Sequence, residues 1–291
     1  MINTKMDGRV CLITGGTNGI GKSTAQALAQ MGATVVIVGR NALKTAQVLE
    51  EIRASSGNKN VDALLADLSS QKDVRCLADE FKMKYQHLHV LINNAGAAFV
   101  QRQLSVDGIE MTFALNYLAP FLLTNLLLDT MRASAPARII NVSSGAHTSG
   151  KIEFDNLQGE RAYGFDAYPN AKLAIILSTI ELARRLEGTG VTVNALHPGV
   201  TATGFGKNNG KIMAALIRIF APLVMRSPEK GAQTSIYLAS SPGVEGITGK
   251  YFYDSHVTSA ASQAADMTVA GKLWVVSAEM VRRPDSPPIK T

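Results

Sequence analysis

Tyr168 and Lys172 stand four residues apart in "YPNAK". On a helix, that spacing brings both side chains to one face. A cation beside a phenol favours the phenolate and moves the tyrosine below its ordinary pKa of about 10. Such a pair can give or take a proton near neutral pH. Upstream, "VSSGAH" carries Ser143 and Ser144, whose hydroxyls suit a carbonyl oxygen on which charge is growing. A third stretch, "ITGGTNGIGKSTAQALA" (13–29), offers a seat for phosphates and reads in two ways. Gly16 to Ser23 spells G-x-x-x-x-G-K-S, the loop that wraps the phosphates of ATP or GTP, with Lys22 as its essential cation. Alternatively, Gly15, Gly19 and Gly21 form a turn that sets a dinucleotide pyrophosphate on a helix N-terminus. The first reading implies phosphoryl transfer, the second hydride transfer.

The elements that must position these groups alternate. "RVCLIT" (9–14), "ATVVIVG" (33–39), "VDALLAD" (61–67), "HVLINNAG" (89–96), "ARIINVSS" (137–144), "VTVNALHPG" (191–199) and "GKYFYD" (249–254) read as strands. Helical patterns fill the gaps at 19–31, through Leu49 and Ile52, and at 71–84, 107–133, 167–187, 228–240 and 262–282. Strand and helix in alternation mean parallel strands joined by crossover helices. Strands apolar on both faces mean helices above and below. The expectation is a single doubly wound α/β domain of Rossmann type over 1–291, with a mostly parallel sheet of about seven strands. Its ligand belongs outside the carboxyl ends of the strands. The tail 284–291 is Pro-rich and reads as frayed.

The strand ends carry the chemistry. After the second strand comes Arg40, where a site for an unphosphorylated ribose would place an acid; a guanidinium there suits a 2′-phosphate. After the third come Asp67 and Leu68, placed to meet an adenine. In a phosphate-loop protein Asp67 would instead hold magnesium, so it does not discriminate. "NNAG" follows the fourth strand and "HPG" ends the sixth.

As an ordered set, Thr14 to Gly21, "NNAG", Asn116 in "FALNYLAP", the serine pair, "YPNAK" and "HPGVTAT" closely resemble the short-chain dehydrogenase/reductases, over about residues 8 to 255. The longer segments resemble the branch containing retinol dehydrogenases and the WW-domain-containing oxidoreductase. The resemblance implies a catalytic tetrad of Asn116, Ser144, Tyr168 and Lys172, with Ser143 structural. Tyr168 would protonate the developing alkoxide and Ser144 would stabilise it. Lys172 would hold the nicotinamide ribose, and Asn116 would position a water that links Lys172 to solvent. It also implies NADP(H) as cofactor. Gly15, Thr17, Asn18, Gly19 and Ile20 would line the phosphates, and Arg40 the 2′-phosphate. Asp67 and Leu68 would meet the adenine, and Asn94, Ala95 and Gly96 the adenosine side. Pro198, Gly199, Val200 and Thr203 would meet the nicotinamide end. Asn18 stands where many NADP-dependent relatives have Lys or Arg, which leaves Arg40 as the main basic contact. Lys22 then becomes a first-turn helix residue, at most an auxiliary phosphate contact.

The resemblance places a substrate lid at 205–227. Its core, "KIMAALIRIFAPLVM" (211–225), is apolar at 12 of 15 positions, which argues for an apolar aldehyde or ketone, retinoid- or lipid-like, and raises peripheral contact with a membrane surface. Members of the family are often dimers or tetramers through the helices here at 107–133 and 167–187, and monomers also occur, so the resemblance leaves assembly open.

Composition bounds the rest. The net charge is +6, but its basic residues are scattered, so a nucleic-acid partner is not expected. The start "MINTKMDGRV" has no apolar signal core, and no window of ~18 uncharged apolar residues suggests a transmembrane span. A cytoplasmic protein is expected, with Cys11 and Cys76 as reduced structural thiols. There is no His/Cys cluster with metal spacing. His147 reads as a surface-loop residue and His197 as a packing residue. A non-catalytic NADP sensor or scaffold on the same fold, and more remotely a phosphate-loop nucleotidase, are the competing functions.

Overall fold

The computed structural model describes residues 5–200 and 226–282. The expected lid (205–227) therefore lies outside the described residues except for Arg226 and Ser227, and so do Thr203 and the tail 284–291. In chain order the main elements are β1 (Val10–Thr14), α1 (Gly19–Gln30), β2 (Thr34–Gly39), α2 (Ala42–Ser56), β3 (Val61–Leu65), α3 (Gln71–Lys84), β4 (Val90–Asn93) and α4 (Met111–Ala133). There follow β5 (Ala137–Val142), α5 (Ala167–Arg185), β6 (Val191–His197), α6 (Pro228–Ser240), β7 (Tyr251–Tyr253), β8 (His256–Thr258) and α7 (Met267–Met280).

One sheet runs in the order β3-β2-β1-β4-β5-β6-β7-β8 and is parallel except for β8. The order reverses between β1 and β4, so their carboxyl ends diverge into a crevice. Successive strand residues feed opposite cores. Leu12, Val36, Leu91, Ile139 and Val193 pack toward α3, α4, α5 and α7, whereas Cys11, Ile13, Ile37, Ile92 and Ile140 pack toward α1, α2 and α6. This two-sided burial is why the strands read as unbroken apolar runs.

The eighth strand escapes the sequence pattern. Asp254 and Ser255 both take positive φ (48° and 65°) and turn β7 back on itself. A two-residue hairpin needs such a pair, but Asp-Ser lacks the usual glycine signal. The helix expected from 107 begins at Met111, because the Glu110 carboxylate accepts the N–H groups of Thr112 and Phe113 at 2.7 Å each and caps it there. Over 23 residues, α4 is long and apolar enough to cross a membrane, contrary to expectation, but 72% of its most apolar window is buried inside this fold. Cys11 is buried as expected; Cys76 is exposed on α3 and packs into no core.

A C-terminal helix covers part of α4 and α5. α7 lies along α5. Its Trp274 is buried edge-on against Phe121 of α4, with ring centroids 4.8 Å apart, and under the Arg185 guanidinium of α5. Ser277 Oγ meets the Tyr117 hydroxyl at 2.8 Å. The faces of α4 and α5 turned this way are occupied by the chain's own helix.

Candidate active site

At the crevice, β1 gives way to the glycine turn. Gly15 and Gly19 have φ of +66° and +48°, a region that disfavours side chains. A Cβ on Gly21 would lie 2.3 Å from the Gly15 carbonyl oxygen. Gly15, Gly19 and Gly21 therefore disfavour or exclude a side chain, and the turn opens onto the first turn of α1. Asn18 makes no side-chain cap there, so the helix N–H groups face the cleft. Thr14, which the sequence reading did not single out as a site residue, stitches the turn to the β4 loop. Its Oγ1 accepts the N–H groups of Asn94 and Ala95 at 3.0 and 3.1 Å. Asn94 returns its side-chain amide to the carbonyls of Thr14 and Gly15.

Lys22 does not serve this turn. Its Nζ lies 2.5 Å from Glu51 on α2, and Lys22 is absent from the cleft lining. Arg40 sits at the end of β2 with its side chain 76% exposed and its guanidinium 3.7 Å from the Asp67 carboxylate. Burial alone would raise the pKa of Asp67, but hydrogen bonds from Ser69 and the nearby Arg40 outweigh it and hold it low. Arg40 thus keeps most of its surface open to a further anion.

The catalytic candidates gather at the other side. Ser143 and Ser144 follow β5. Ser143 Oγ donates to the Lys172 carbonyl at 2.8 Å, a structural bond as expected. The Ser144 hydroxyl hydrogen-bonds the Tyr168 phenol. Lys172 is buried, donates from Nζ to the Val142 carbonyl at 3.0 Å, and holds Nζ 5.4 Å from the centre of the Tyr168 ring. Asn116 lies in a π-helical turn, Ala114–Leu118, within α4. Pro120 has no N–H to offer the Asn116 carbonyl four residues back, and wider turns of this kind recur at functional sites. Asn116 Nδ2 donates to Ala97 and Thr112, while its Oδ1 is buried without a hydrogen-bond partner. Gly96 separates it from Lys172: a Cβ there would lie 2.5 Å from Asn116 Oδ1 and 3.4 Å from Lys172 Nζ.

The electrostatics correct one expectation. Burial pushes the Tyr168 phenol up to about 12, only partly offset by Ser144, and pulls Lys172 down to about 7. The lysine does not lower the tyrosine here. Both charged forms lose hydration in the same dry floor, and a lysine near half-protonation at neutral pH is a weak electrostatic partner.

A second correction concerns His147. It is 2% exposed rather than on the surface. Its Nδ1 donates to the Ser144 carbonyl at 2.7 Å, and its Nε2 accepts the Ala261 N–H at 3.0 Å. His197 packs as expected, stacked on Tyr253.

These groups line one cleft of about 1110 Å³. Its wall includes Gly15, Thr17, Asn18, Gly19, Ile20, Arg40, Asp67, Leu68, Asn94, Ala95, Gly96, Ser144, Tyr168, Lys172, Pro198, Gly199 and Val200. Of the site residues read from the sequence, Asn116 stands just behind the wall and Thr203 lies outside the described residues. The sequence reading missed four apolar residues of the cleft wall, Phe99, Met111, Leu115 and Phe165, because nothing local marks them. Among the described residues no group of acidic, histidine or cysteine side chains could hold a metal.

Comparison with known proteins agrees with this geometry. The short chain dehydrogenase family model matches residues 9–213. Human (Homo sapiens) retinol dehydrogenase 11 is 43% identical over 281 residues, covering 96% of this chain and 88% of that one. Retinol dehydrogenase 13 of Homo sapiens is 42% identical, covering 94% and 85%. Among solved structures, an uncharacterized protein from Mycobacterium paratuberculosis superposes with a TM-score of 0.78 at 29% identity, covering 96% of this chain and 95% of that one. The Pseudomonas aeruginosa RhlG/NADP active-site complex superposes with 0.69 at 30% identity, covering 85% and 95%. The chain belongs to the short-chain dehydrogenase family and is an oxidoreductase resembling the retinol dehydrogenases.

Proposed function

We propose that this oxidoreductase is an NADP(H)-dependent carbonyl reductase or alcohol dehydrogenase for an apolar aldehyde or ketone, retinoid-like in character. The observation that carries the proposal is one continuous cleft with the Ser144–Tyr168 hydrogen bond at one side and the glycine turn with Arg40 at the other. The residues fit a dinucleotide. The glycines of the turn leave no room for a Cβ at Gly21 and let the backbone line the cleft, and the helix N–H groups face the same space. Arg40 supports the phosphorylated form, as does the NADP held by the Pseudomonas aeruginosa relative.

When bound, the nicotinamide supplies or accepts the hydride. Tyr168, kept neutral by its surroundings, donates its phenolic proton to the substrate oxygen in the reducing direction. Ser144 hydrogen-bonds the same oxygen and steadies its growing charge. Lys172, which burial brings down to about 7, would restore the proton and hold the nicotinamide ribose. The unpartnered Asn116 Oδ1, across Gly96 from Lys172, fits the bridging-water role. Phe99, Met111, Leu115 and Phe165 support an apolar substrate.

The test is NADPH oxidation by the purified chain with retinal, aliphatic aldehydes and ketosteroids, comparing wild type with Tyr168→Phe. The variant is expected to bind NADPH normally and lose roughly 10²- to 10⁴-fold in kcat. Equal turnover in both proteins overturns the mechanism. Tight NADPH binding with no turnover on any carbonyl favours the non-catalytic sensor instead.

A further inference from the structure

The peptide group that follows Ser144 is held from both sides. Its carbonyl, Ser144 O, accepts from His147 Nδ1 at 2.7 Å. Its N–H, on Gly145, donates to His197 Nδ1 at 3.0 Å. One histidine therefore acts as donor and the other as acceptor toward a single peptide plane. A carbonyl oxygen cannot donate, so His147 carries its proton on Nδ1. Its Nε2 accepts the Ala261 N–H at 3.0 Å, which requires the same tautomer. His197 must be the opposite tautomer, with Nδ1 bare. A Cβ on Gly145 would meet His197 Nε2 at 3.1 Å, so the glycine lets the ring approach.

Each histidine is backed by β7. His147 packs edge-on against the Tyr251 ring, with centroids 4.9 Å apart. His197 stacks on the Tyr253 ring at 5.1 Å, and Tyr253 in turn takes the Arg226 guanidinium. The strand that ends at His197 lies beside β7, so both rings are braced by one edge of the sheet.

We propose that His147 and His197 are positioning residues that clamp the Ser144–Gly145 peptide and thereby aim the Ser144 hydroxyl at Tyr168. The proposal rests on the reading of Ser144 as the group that steadies the substrate oxygen. The clamp works only while both rings are neutral. Protonation would turn His197 Nδ1 into a donor facing the Gly145 N–H, and His147 Nε2 into a donor facing the Ala261 N–H.

The surroundings favour neutrality. Burial holds both histidines below their ordinary value. For His147 the bond to the Ser144 carbonyl opposes it. For His197, Arg226 and His147 add to it and Asp254 opposes. The titratable groups facing the pair are Tyr251, Tyr253, Arg226 and Asp254, with each histidine facing the other. A folded value below the ordinary one means that the neutral clamp persists below about pH 6.5 and is lost only as pH falls through the lowered folded value.

The test has three readings. Nitrogen NMR of the cofactor-free chain should show the Nδ1–H tautomer for His147 and the Nε2–H tautomer for His197; the same tautomer at both overturns the clamp. In kinetics, His147→Leu and His197→Leu should each lower kcat by roughly 10- to 100-fold, since a small displacement at a reacting centre costs that much, and leave NADPH affinity within about two-fold. Asn places a donor or acceptor where Nδ1 stands, so His147→Asn and His197→Asn should recover most of the rate. In a Ser144→Ala background the Leu substitutions should have little further effect. Full additivity there, or no rescue by Asn, overturns the proposal.

If the Leu variants do not fold, the pH profile of the doubly Asn-substituted protein decides. It should lose the acid-side fall in kcat expected at the lowered histidine value, below about pH 6.5, while any titration of Lys172 near 7 remains, and an unchanged profile overturns the clamp. A neutral Ser144→Ala overturns the reading of the serine and the clamp together. Loss in Ser144→Ala without loss in either histidine variant overturns the clamp alone.

Discussion

Two cations bracket the cleft, in opposite environments. Arg40 follows β2 with its side chain 76% exposed and a loose 3.7 Å pairing to Asp67. Lys172, in α5, is 4% exposed, and burial brings it down to about 7. The exposed cation costs the fold little and waits for an anion. The buried one is a strained group whose charge depends on its surroundings. Recognition at the Arg40 side therefore needs only a fixed charge and open space. Chemistry at the Lys172 side needs a group that can change charge near neutral pH, and burial is what brings this lysine there.

Replacing the buried cation should produce the largest effect. Lys172→Met removes the amine and keeps the volume. Activity should fall by roughly 10²-fold or more, the usual worth of a proton-transfer partner. Stability of the cofactor-free protein should move the other way. The folded pKa of about 7 lies below the unfolded value of 10.5. Between those values the unfolded chain binds the proton and the folded chain does not, so stability is full above about pH 10.5, falls as pH drops toward 7, and levels off below. The penalty at pH 7 is on the order of 3 to 5 kcal/mol, and the variant should escape it. Thermal unfolding at pH 7 should show a higher Tm for Lys172→Met, with the gap closing as pH approaches 10. A variant less stable than wild type at pH 7 breaks the contrast, because it would mean that the folded protein stabilises the ammonium.

The exposed cation should matter less, and only to choice of cofactor. Arg40→Gln should lower the ratio of NADPH to NADH affinity by roughly 10- to 100-fold, the worth of a charge-assisted contact to a phosphate. Tm should hardly change. Arg40→Asp should lower the ratio further, but it sets a second carboxylate beside Asp67, so its gain in NADH affinity should be small. Fluorescence titration with both cofactors reads this directly. An unchanged ratio in Arg40→Gln would remove Arg40 as the phosphate reader.

The same contrast explains what the sequence disclosed. The glycine turn, Arg40 and the Tyr168–Lys172 spacing are local features, and each was legible because chain neighbours alone set its geometry. The strand and helix order was legible because two-sided burial leaves unbroken apolar runs. What failed was tertiary. The direction of the Tyr168 shift depends on how dry the floor is. His147 looked like a loop residue because its partners, Tyr251 and Ala261, lie more than a hundred residues away. Trp274 and Ser277 gave no sign that α7 would lie over α4 and α5, since an amphipathic helix does not name the face it will cover. The Asp254–Ser255 turn lacked the glycine that would have announced it.

A third cation supplies the smallest effect and the sharpest discrimination. Lys22 stands where a phosphate loop would place its essential lysine, yet its Nζ is 2.5 Å from Glu51. That bond is the first of the influences holding the Glu51 carboxyl low, and Gln47 adds a second at 2.7 Å. Glu51 therefore keeps a partner in Lys22→Ala. Exposed pairs of this kind contribute little, so Tm should stay within about 2 °C of wild type. NADPH affinity should stay within about two-fold, because the seat is made of backbone N–H groups and glycines, with the charge supplied by Arg40. Magnesium-dependent ATP binding that collapses in Lys22→Ala would reverse this conclusion. It would mean that Lys22 leaves Glu51 for a phosphate, as a loop lysine does. The comparison then becomes one of commitment: Arg40 is exposed and only loosely paired with Asp67, Lys172 is buried, and Lys22 is closely paired, so of the three Arg40 is the most open to a ligand's charge.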